Sequence, residues 1–475
     1  MKIYKIIYSH KMKIKSSIEE IIQKQSEYFK TGVTRPVSFR IRQLKILKEL
    51  IKENEKAISG ALFADFKKCE FESFATEIGM VLLDISHTIK HLKKWARPKH
   101  IRASLANFPS SDSIHFDPYG VCLIISPWNY PFQLLIGPMI GAISGGNTIV
   151  IKPSELTPNT SKFMNEIILG NFKKEYISVV EGGVEETTLL LKQKFNKIFF
   201  TGSVAVGKVV MKAAANNLTP ITLELGGKSP CIVDETAKLK LAAKRIAWGK
   251  FLNAGQTCIA PDYIYIHENV KKQFIEHLKQ AIKNLYGDDP KRSEDFPRII
   301  NERNFNRLSE MINPDKLIIG GETSKDELYI APSVLTNVSW EDKVMEDEIF
   351  GPILPLLTFN NFEDVINEIN KHPKPLAMYI FSHNKKQVKQ LIENTSSGGF
   401  CVNETVSHFV NLNMPFGGVG NSGIGNYHGK YSFKCFTHEK SVLKKATWFD
   451  LPLRYPPYKR KLGMLRKVFG ILQKL

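Results

Sequence analysis

Cys258, in the run Asn253-Ala254-Gly255-Gln256-Thr257-Cys258, is the side chain of this sequence best suited to covalent chemistry. A thiol attacks as its thiolate, so near neutral pH it needs a neighbouring base or electropositive surroundings. A lone carboxylate, Glu224, lies 34 residues upstream in Leu223-Glu224-Leu225-Gly226-Gly227-Lys228-Ser229-Pro230. An acid in an apolar, strand-like stretch is partly desolvated, which lifts its pKa toward the range of a working base. Together they form a candidate nucleophile and a candidate activator of water. The common fate of a free cysteine is a buried structural thiol. That reading is kept for Cys69, Cys122, Cys231, Cys401 and Cys435.

Four further runs carry possible chemistry. Phe199-Phe200-Thr201-Gly202-Ser203-Val204-Ala205-Val206-Gly207-Lys208 ends a strand and opens a helix, and the free N–H groups and dipole at a helix start favour an anion. Its Gly-x4-Gly spacing departs from the usual dinucleotide fingerprint, and alone it reads as a tight turn. Gly418-Val419-Gly420-Asn421-Ser422-Gly423 fits that fingerprint better as text, but no strand precedes it and no helix follows, so it is set aside. Lys152-Pro153-Ser154-Glu155 places opposite charges after a second strand, at the sheet edge where nucleotides bind; on its own it is a surface turn. In Pro127-Trp128-Asn129-Tyr130-Pro131 two prolines bracket an asparagine, either a turn former or an amide aimed into a cleft. Glu346-Asp347-Glu348-Ile349-Phe350-Gly351-Pro352 is by default an acidic loop. Lys228 reads as a structural anchor, and no metal-ligand spacing is present.

These runs need a scaffold, and the 475-residue chain alternates in the right way to build one. Residues 16–97 are mostly helical in pattern. Short apolar runs at 120–126, 147–152, 176–181 and 197–201, separated by helical segments, predict a doubly wound α/β layer. A second alternation from Ser229 to about residue 415 predicts another. The expected division is a basic extension (1–15), a cofactor-binding domain (16–97 and 117–225), a small β bridging or oligomerisation segment (98–116 and 424–450), a catalytic domain (226–423) and a basic tail (451–475). Glu224 and Cys258 fall near the junction of the two layers, where small-ligand sites are common.

The net charge of +19 is concentrated at the ends. Residues 1–15 and 451–475 hold twelve Lys or Arg and no acid, leaving +7 for the rest. A nucleic-acid groove is therefore not indicated. The N-terminus lacks the form of a secretion signal, Met12 is an alternative start, and no apolar stretch reaches spanning length. The cysteines form no CxxC pair, which suits a reducing, cytoplasmic setting. On a helical wheel of 459–475, Leu462, Met464, Leu465, Val468, Phe469, Ile471, Leu472 and Leu475 oppose Lys459, Arg460, Arg466, Lys467 and Lys474, and only Lys461 intrudes on the apolar half. Such a helix either lies on an anionic membrane at its inner face or docks on its own subunit or dimer mate.

Taken as whole segments, the cysteine, glutamate, asparagine and acidic-loop runs resemble the signatures of the aldehyde dehydrogenase superfamily. Phe71-Glu72-Ser73, Thr76-Glu77-Ile78, Cys258-Ile259-Ala260-Pro261-Asp262-Tyr263, Asn413-Met414-Pro415-Phe416-Gly417-Gly418 and Arg454-Tyr455-Pro456-Pro457-Tyr458 look like its class 3, or fatty aldehyde, branch. The resemblance covers about residues 16–455. It implies two doubly wound domains with a bridging sheet, and an NAD-dependent oxidation of apolar aldehydes, with NADP as the alternative cofactor and a homodimer as the assembly. It implies Cys258 as nucleophile, Asn129 as oxyanion donor and Glu224 as base, with Glu348 its rival. Lys152 and Glu155 would hold the adenine ribose; Thr201, Gly202, Ser203, Gly207, Leu225 and Gly226 would border the cofactor; Glu348 and Phe350 would hold its nicotinamide half. Tyr130, Trp248 and Phe416 would line a substrate tunnel. Two other readings stand beside this one: a CoA-acylating relative, and a non-catalytic binding or membrane-surface protein on the same scaffold.

Overall fold

The computed structural model describes residues 2–473. Runs that are apolar at every position fold here as parallel strands covered on both faces. Val121–Ile125, Thr148–Lys152 and Lys197–Thr201 are buried throughout. They belong to a six-stranded sheet ordered Gly423–Ile424, Ile221–Glu224, Lys197–Thr201, Val121–Ile125, Thr148–Lys152, Ile177–Val179. Every neighbour is parallel except Gly423–Ile424, which runs antiparallel to Ile221–Glu224. Val121–Ile125 is the first of the parallel strands in the chain and its successors lie on both sides. Ligands of open α/β sheets bind beyond the carboxyl ends of the strands at such a reversal. The loops that follow Val121–Ile125 and Lys197–Thr201 flank it, and they carry Asn129 and Gly202.

A seven-stranded sheet repeats the logic, in the order Leu317–Ile319, Ser333–Leu335, Ile353–Phe359, Tyr263–His267, Pro230–Val233, Ala377–Phe381, Gly399–Val402. Its reversal falls at Pro230–Val233. A third, antiparallel sheet joins Lys99–Ile101, Ser110–Pro118 and Thr437–Lys445. Both of its edge strands are largely exposed.

One helix, Gln133–Gly145, is buried at every position, as expected of a helix that is apolar all round. It packs against helices Val37–Glu53, Gly79–Trp95 and Lys430–Cys435. Gly146, at φ 86°, ends it in the left-handed region, where glycine carries no Cβ penalty.

Three points differ from the sequence expectation. Helix Lys2–Lys30 runs through residue 15 without a break. The segment ending at 423 does not stop at the second layer, because Gly423–Ile424 pairs with Leu223 and Glu224 of the first. The C-terminal helix Leu462–Leu472 leaves Leu462, Met464, Leu465, Phe469 and Ile471 exposed, so these apolar side chains are not covered by the described residues of this chain. Lys474 and Leu475, placed on the wheel from sequence, lie outside the described residues. Among the described residues no helix is long and apolar enough to cross a membrane.

Candidate active site

Helix Leu239–Phe251 delivers the chain to Cys258 through a kinked turn, with Asn253 at φ 55° and Ala254 at φ 51°. Non-glycine residues in the left-handed region cost about 1–3 kcal/mol each and persist where the surroundings over-determine them. Gly255 follows at φ 74°, and a Cβ there would collide with the carbonyl of Gly351. The turn is held from inside. Asn253 Nδ2 donates to the carbonyls of Asn129 (2.8 Å) and Gln256 (3.2 Å). Gln256 Nε2 donates to the carbonyls of Asn253 (3.1 Å) and Arg298 (3.0 Å), and Gln256 Oε1 accepts from the Ile300 N–H at 3.0 Å.

Asn129 is buried, and its Nδ2 donates to the Gln256 carbonyl at 3.0 Å. That bond uses one of two amide hydrogens and fixes the side chain beside the cysteine loop. The neighbouring Tyr130 hydroxyl lies 2.6 Å from Thr257 Oγ1.

Cys258 keeps partial exposure. Burial, then Glu348, then Glu224 push its thiol above the ordinary range, while the backbone N–H groups of Cys258 and Ile259 pull it down. The two carboxyls differ in setting. Glu224 ends its strand in register with Thr201, is buried, and has no hydrogen-bond partner on either carboxyl oxygen. Burial alone raises its pKa well above the carboxylate range. Glu348 is pushed up to about 8 by burial and Asp262, against the Gly227 N–H, Lys228 and Arg307. Its carboxylate lies so close over Gly226 that a Cβ there would collide with it. Lys228 anchors the segment before it, donating to Asp262 Oδ2 (2.6 Å) and to the carbonyls of Val344 (3.1 Å) and Asp347 (2.9 Å). Phe350, at φ 52°, packs edge-on against Trp128 with centroids 5.4 Å apart.

The residues expected to hold a dinucleotide fit one. Ser203 caps helix Val204–Ala215, accepting from the Val206 N–H; the first N–H groups of that helix have no intrahelical acceptor. Thr201 Oγ1 is buried without a partner at the start of this turn. Gly207 sits against Leu225, where a Cβ would come within 2.8 Å of Leu225 Cδ2. Lys152 is buried and bonds the Pro153 carbonyl (2.8 Å) and Glu155 (3.4 Å), while the Glu155 side chain stays 47% exposed.

The family model described as the aldehyde dehydrogenase family matches residues 4–442 of this chain. The chain belongs to that family. It is accordingly an oxidoreductase acting on aldehydes, with NAD or NADP as cofactor. It is 46% identical over 454 residues to the 4,4'-diaponeurosporen-aldehyde dehydrogenase of Staphylococcus aureus, covering 95% of this chain and 99% of that protein. It is 46% identical over 449 residues to the dimeric NADP-preferring aldehyde dehydrogenase of Canis lupus familiaris, covering 94% and 99%. A solved structure described as the substrate-bound state of Staphylococcus aureus AldH superposes with a TM-score of 0.93 at 46% identity, covering 95% of this chain and 99% of that one.

In this aldehyde dehydrogenase the three expected tunnel aromatics have different surroundings. Tyr130 is buried at the cysteine loop, and Phe416 is buried among His408, Phe409, Tyr427 and His428. Trp248 is exposed on helix Leu239–Phe251. No ring pair joins the three among the described residues.

Sequence reading missed the groups that hold the loops in place. Lys68 and Glu77 form a fully buried ion pair at 2.6 Å, and Arg307 donates to the carbonyls of Glu348 (3.4 Å) and Ile349 (2.7 Å). Asp262, quoted above only as part of a resemblance, accepts from Lys228 and from the Ile349 N–H. The one available signal was a charge inside an otherwise apolar or signature segment, which Glu77 and Asp262 both show.

Proposed function

We propose that this enzyme oxidises apolar aldehydes, medium- to long-chain or aromatic, to carboxylic acids with NAD, through a covalent intermediate on Cys258. The observation that carries the reading is the convergence on one loop: Asn129 bonds Gln256 and Tyr130 bonds Thr257 just before Cys258, while Glu224 stands buried with neither carboxyl oxygen hydrogen-bonded.

In this reading the ionised Cys258 sulfur adds to the aldehyde carbon. The second amide hydrogen of Asn129 and the backbone N–H of Cys258 hold the developing alkoxide, a kind of donor worth about 3 kcal/mol of barrier. The bound nicotinamide supplies the hydride acceptor, and Lys152, Glu155, Thr201, Gly202, Ser203, Gly207, Leu225, Gly226, Glu348 and Phe350 are the residues that would hold the cofactor. Glu224 then takes a proton from the water that attacks the thioester carbon; the C–S bond breaks and the acid leaves. Glu224 is assigned this task because its carboxyl is uncommitted, whereas the Gly227 N–H, Lys228 and Arg307 all engage Glu348. NADH formation from decanal with and without CoA, in wild type and Cys258→Ala, tests the scheme. Free acid must form without CoA and the variant must be inactive. Acid only with CoA would make the enzyme acylating, and inertness toward every aldehyde would favour a binding role.

NAD is preferred because the half-exposed Glu155 carboxylate suits a ribose 2′-hydroxyl and repels a 2′-phosphate. Glu155→Gln should therefore raise kcat/KM with NADP relative to NAD several-fold; an unchanged ratio would remove Glu155 from cofactor choice. A second copy of the chain fits the exposed edges of the three-stranded sheet, which stand ready for further pairing. The free cysteines suit the cytoplasm, with the bare apolar face and basic flank of the C-terminal helix resting on the inner membrane face.

A further inference from the structure

We propose that the buried Lys68–Glu77 pair positions the oxyanion loop, so that both are positioning residues for the aldehyde chemistry; the inference rests on Asn129 being the oxyanion donor. Both side chains are fully buried and 2.6 Å apart. The pair grips the loop at several consecutive points. Lys68 Nζ donates to the Asn129 carbonyl at 3.3 Å and lies 4.2 Å from the Tyr130 ring centroid. Glu77 Oε2 accepts from the N–H groups of Phe132 (2.9 Å) and Gln133 (3.3 Å), the entry of the fully buried helix Gln133–Gly145. A carboxylate is favoured at that end of a helix.

From this grip the connection to the sulfur is short. The Asn129 carbonyl takes its second donor from Asn253, the Asn129 amide bonds Gln256, and the Tyr130 hydroxyl bonds Thr257, one residue before Cys258. Glu77 itself lies in the π-helical turn Phe74–Ile78, a local irregularity that recurs at functional sites. A buried ion pair is weak support for stability, because apolar replacements of similar shape are often as stable. What this pair does provide is direction, since it fixes both the loop carbonyl and the helix entry. Glu72 is also buried, which pushes its carboxyl up to about 7 against the pull of the Lys68 charge.

The double variant Lys68→Met/Glu77→Gln removes both charges together and leaves neither one unpaired in the core. With decanal and NAD, kcat should fall about tenfold with KM little changed, because misplacement of a reacting group by about 1 Å can cost up to about a hundredfold. Asn129→Ala alone should lower kcat about a hundredfold, and adding the double change to it should lower kcat no further. Alkylation of Cys258 by iodoacetamide should proceed as in wild type, since the sulfur itself is not displaced. A folded double variant with wild-type kcat, or losses that multiply in full with Asn129→Ala, would overturn the inference. Should the double variant not fold, Glu77→Gln, which keeps the shape of the side chain, is taken through the same cycle with the same criteria. Wild-type kcat in Asn129→Ala would instead sink the oxyanion reading itself.

Discussion

Burial raises the Cys258 thiol, and the Glu348 and Glu224 carboxyls add to that, opposing the thiolate that the proposed chemistry needs. The protein offsets this in part by aiming two backbone N–H groups at the sulfur. Glu224 is the more extreme of the two acids, buried with no donor to either oxygen. Its folded pKa is raised, so the folded protein holds this proton more tightly than the unfolded chain does. That contribution is complete below the unfolded carboxyl pKa and is lost as pH rises through the folded value. Glu224→Gln should therefore melt above wild type near pH 8, with the gap closing toward about pH 4, where an unfolded Glu takes up its proton. A gap independent of pH would mean that Glu224 is not desolvated in solution. The same variant should still release NADH once per site but fail to turn over.

The turn 252–258 shows how an element can be shaped for one side chain. Its left-handed residues, Asn253, Ala254 and Gly255, were not legible in sequence, because nothing in an ordinary Asn-Ala-Gly run announces backbone outliers at three successive positions. Gly255→Ala should destabilise the protein by about 2 kcal/mol in denaturant melts and cut activity by far more than its stability loss explains. The reason is that the new Cβ drives into the Gly351 carbonyl, displacing the cysteine loop and the Glu348–Phe350 segment together. Wild-type kcat in that variant would show that the turn tolerates rearrangement. The strands were legible because parallel pairing demands apolar residues on both faces, as in Cys122, Leu123, Ile124 and Ile125. Lys68 was not, reading as an ordinary charge among helical ones; Glu77 stood only within the quoted run Thr76-Glu77-Ile78, and the π-helical turn it lies in leaves no mark on periodicity. The edge strand Gly423–Ile424 was missed for another reason, since two residues carry no alternation and their partner lies about two hundred positions away.

Over the whole molecule the basic excess lies at the two ends, so the charged surface most available to an anionic partner is the C-terminal stretch. Its helix has Arg466 and Lys467 beside exposed Met464, Leu465 and Phe469. Deleting 459–475 should abolish pelleting with vesicles rich in anionic lipid while leaving decanal oxidation intact. Equal pelleting of the truncated protein would dispose of the membrane role, and lost activity would tie the helix to the catalytic body instead.

The chain leaves the first sheet after Glu224, builds the second, and then returns to lay Gly423–Ile424 against Leu223–Glu224, where the Leu225 N–H also meets the Ser422 carbonyl at 3.0 Å. The two lobes are thus joined by covalent continuity and by this returning stitch beside Glu224, in addition to the Asn129–Asn253, Asn129–Gln256 and Tyr130–Thr257 bonds at the cysteine loop. A clamshell opening that parted the lobes along this line would have to break the Gly423–Glu224 and Ile424–Leu223 pairing and the Leu225–Ser422 bond.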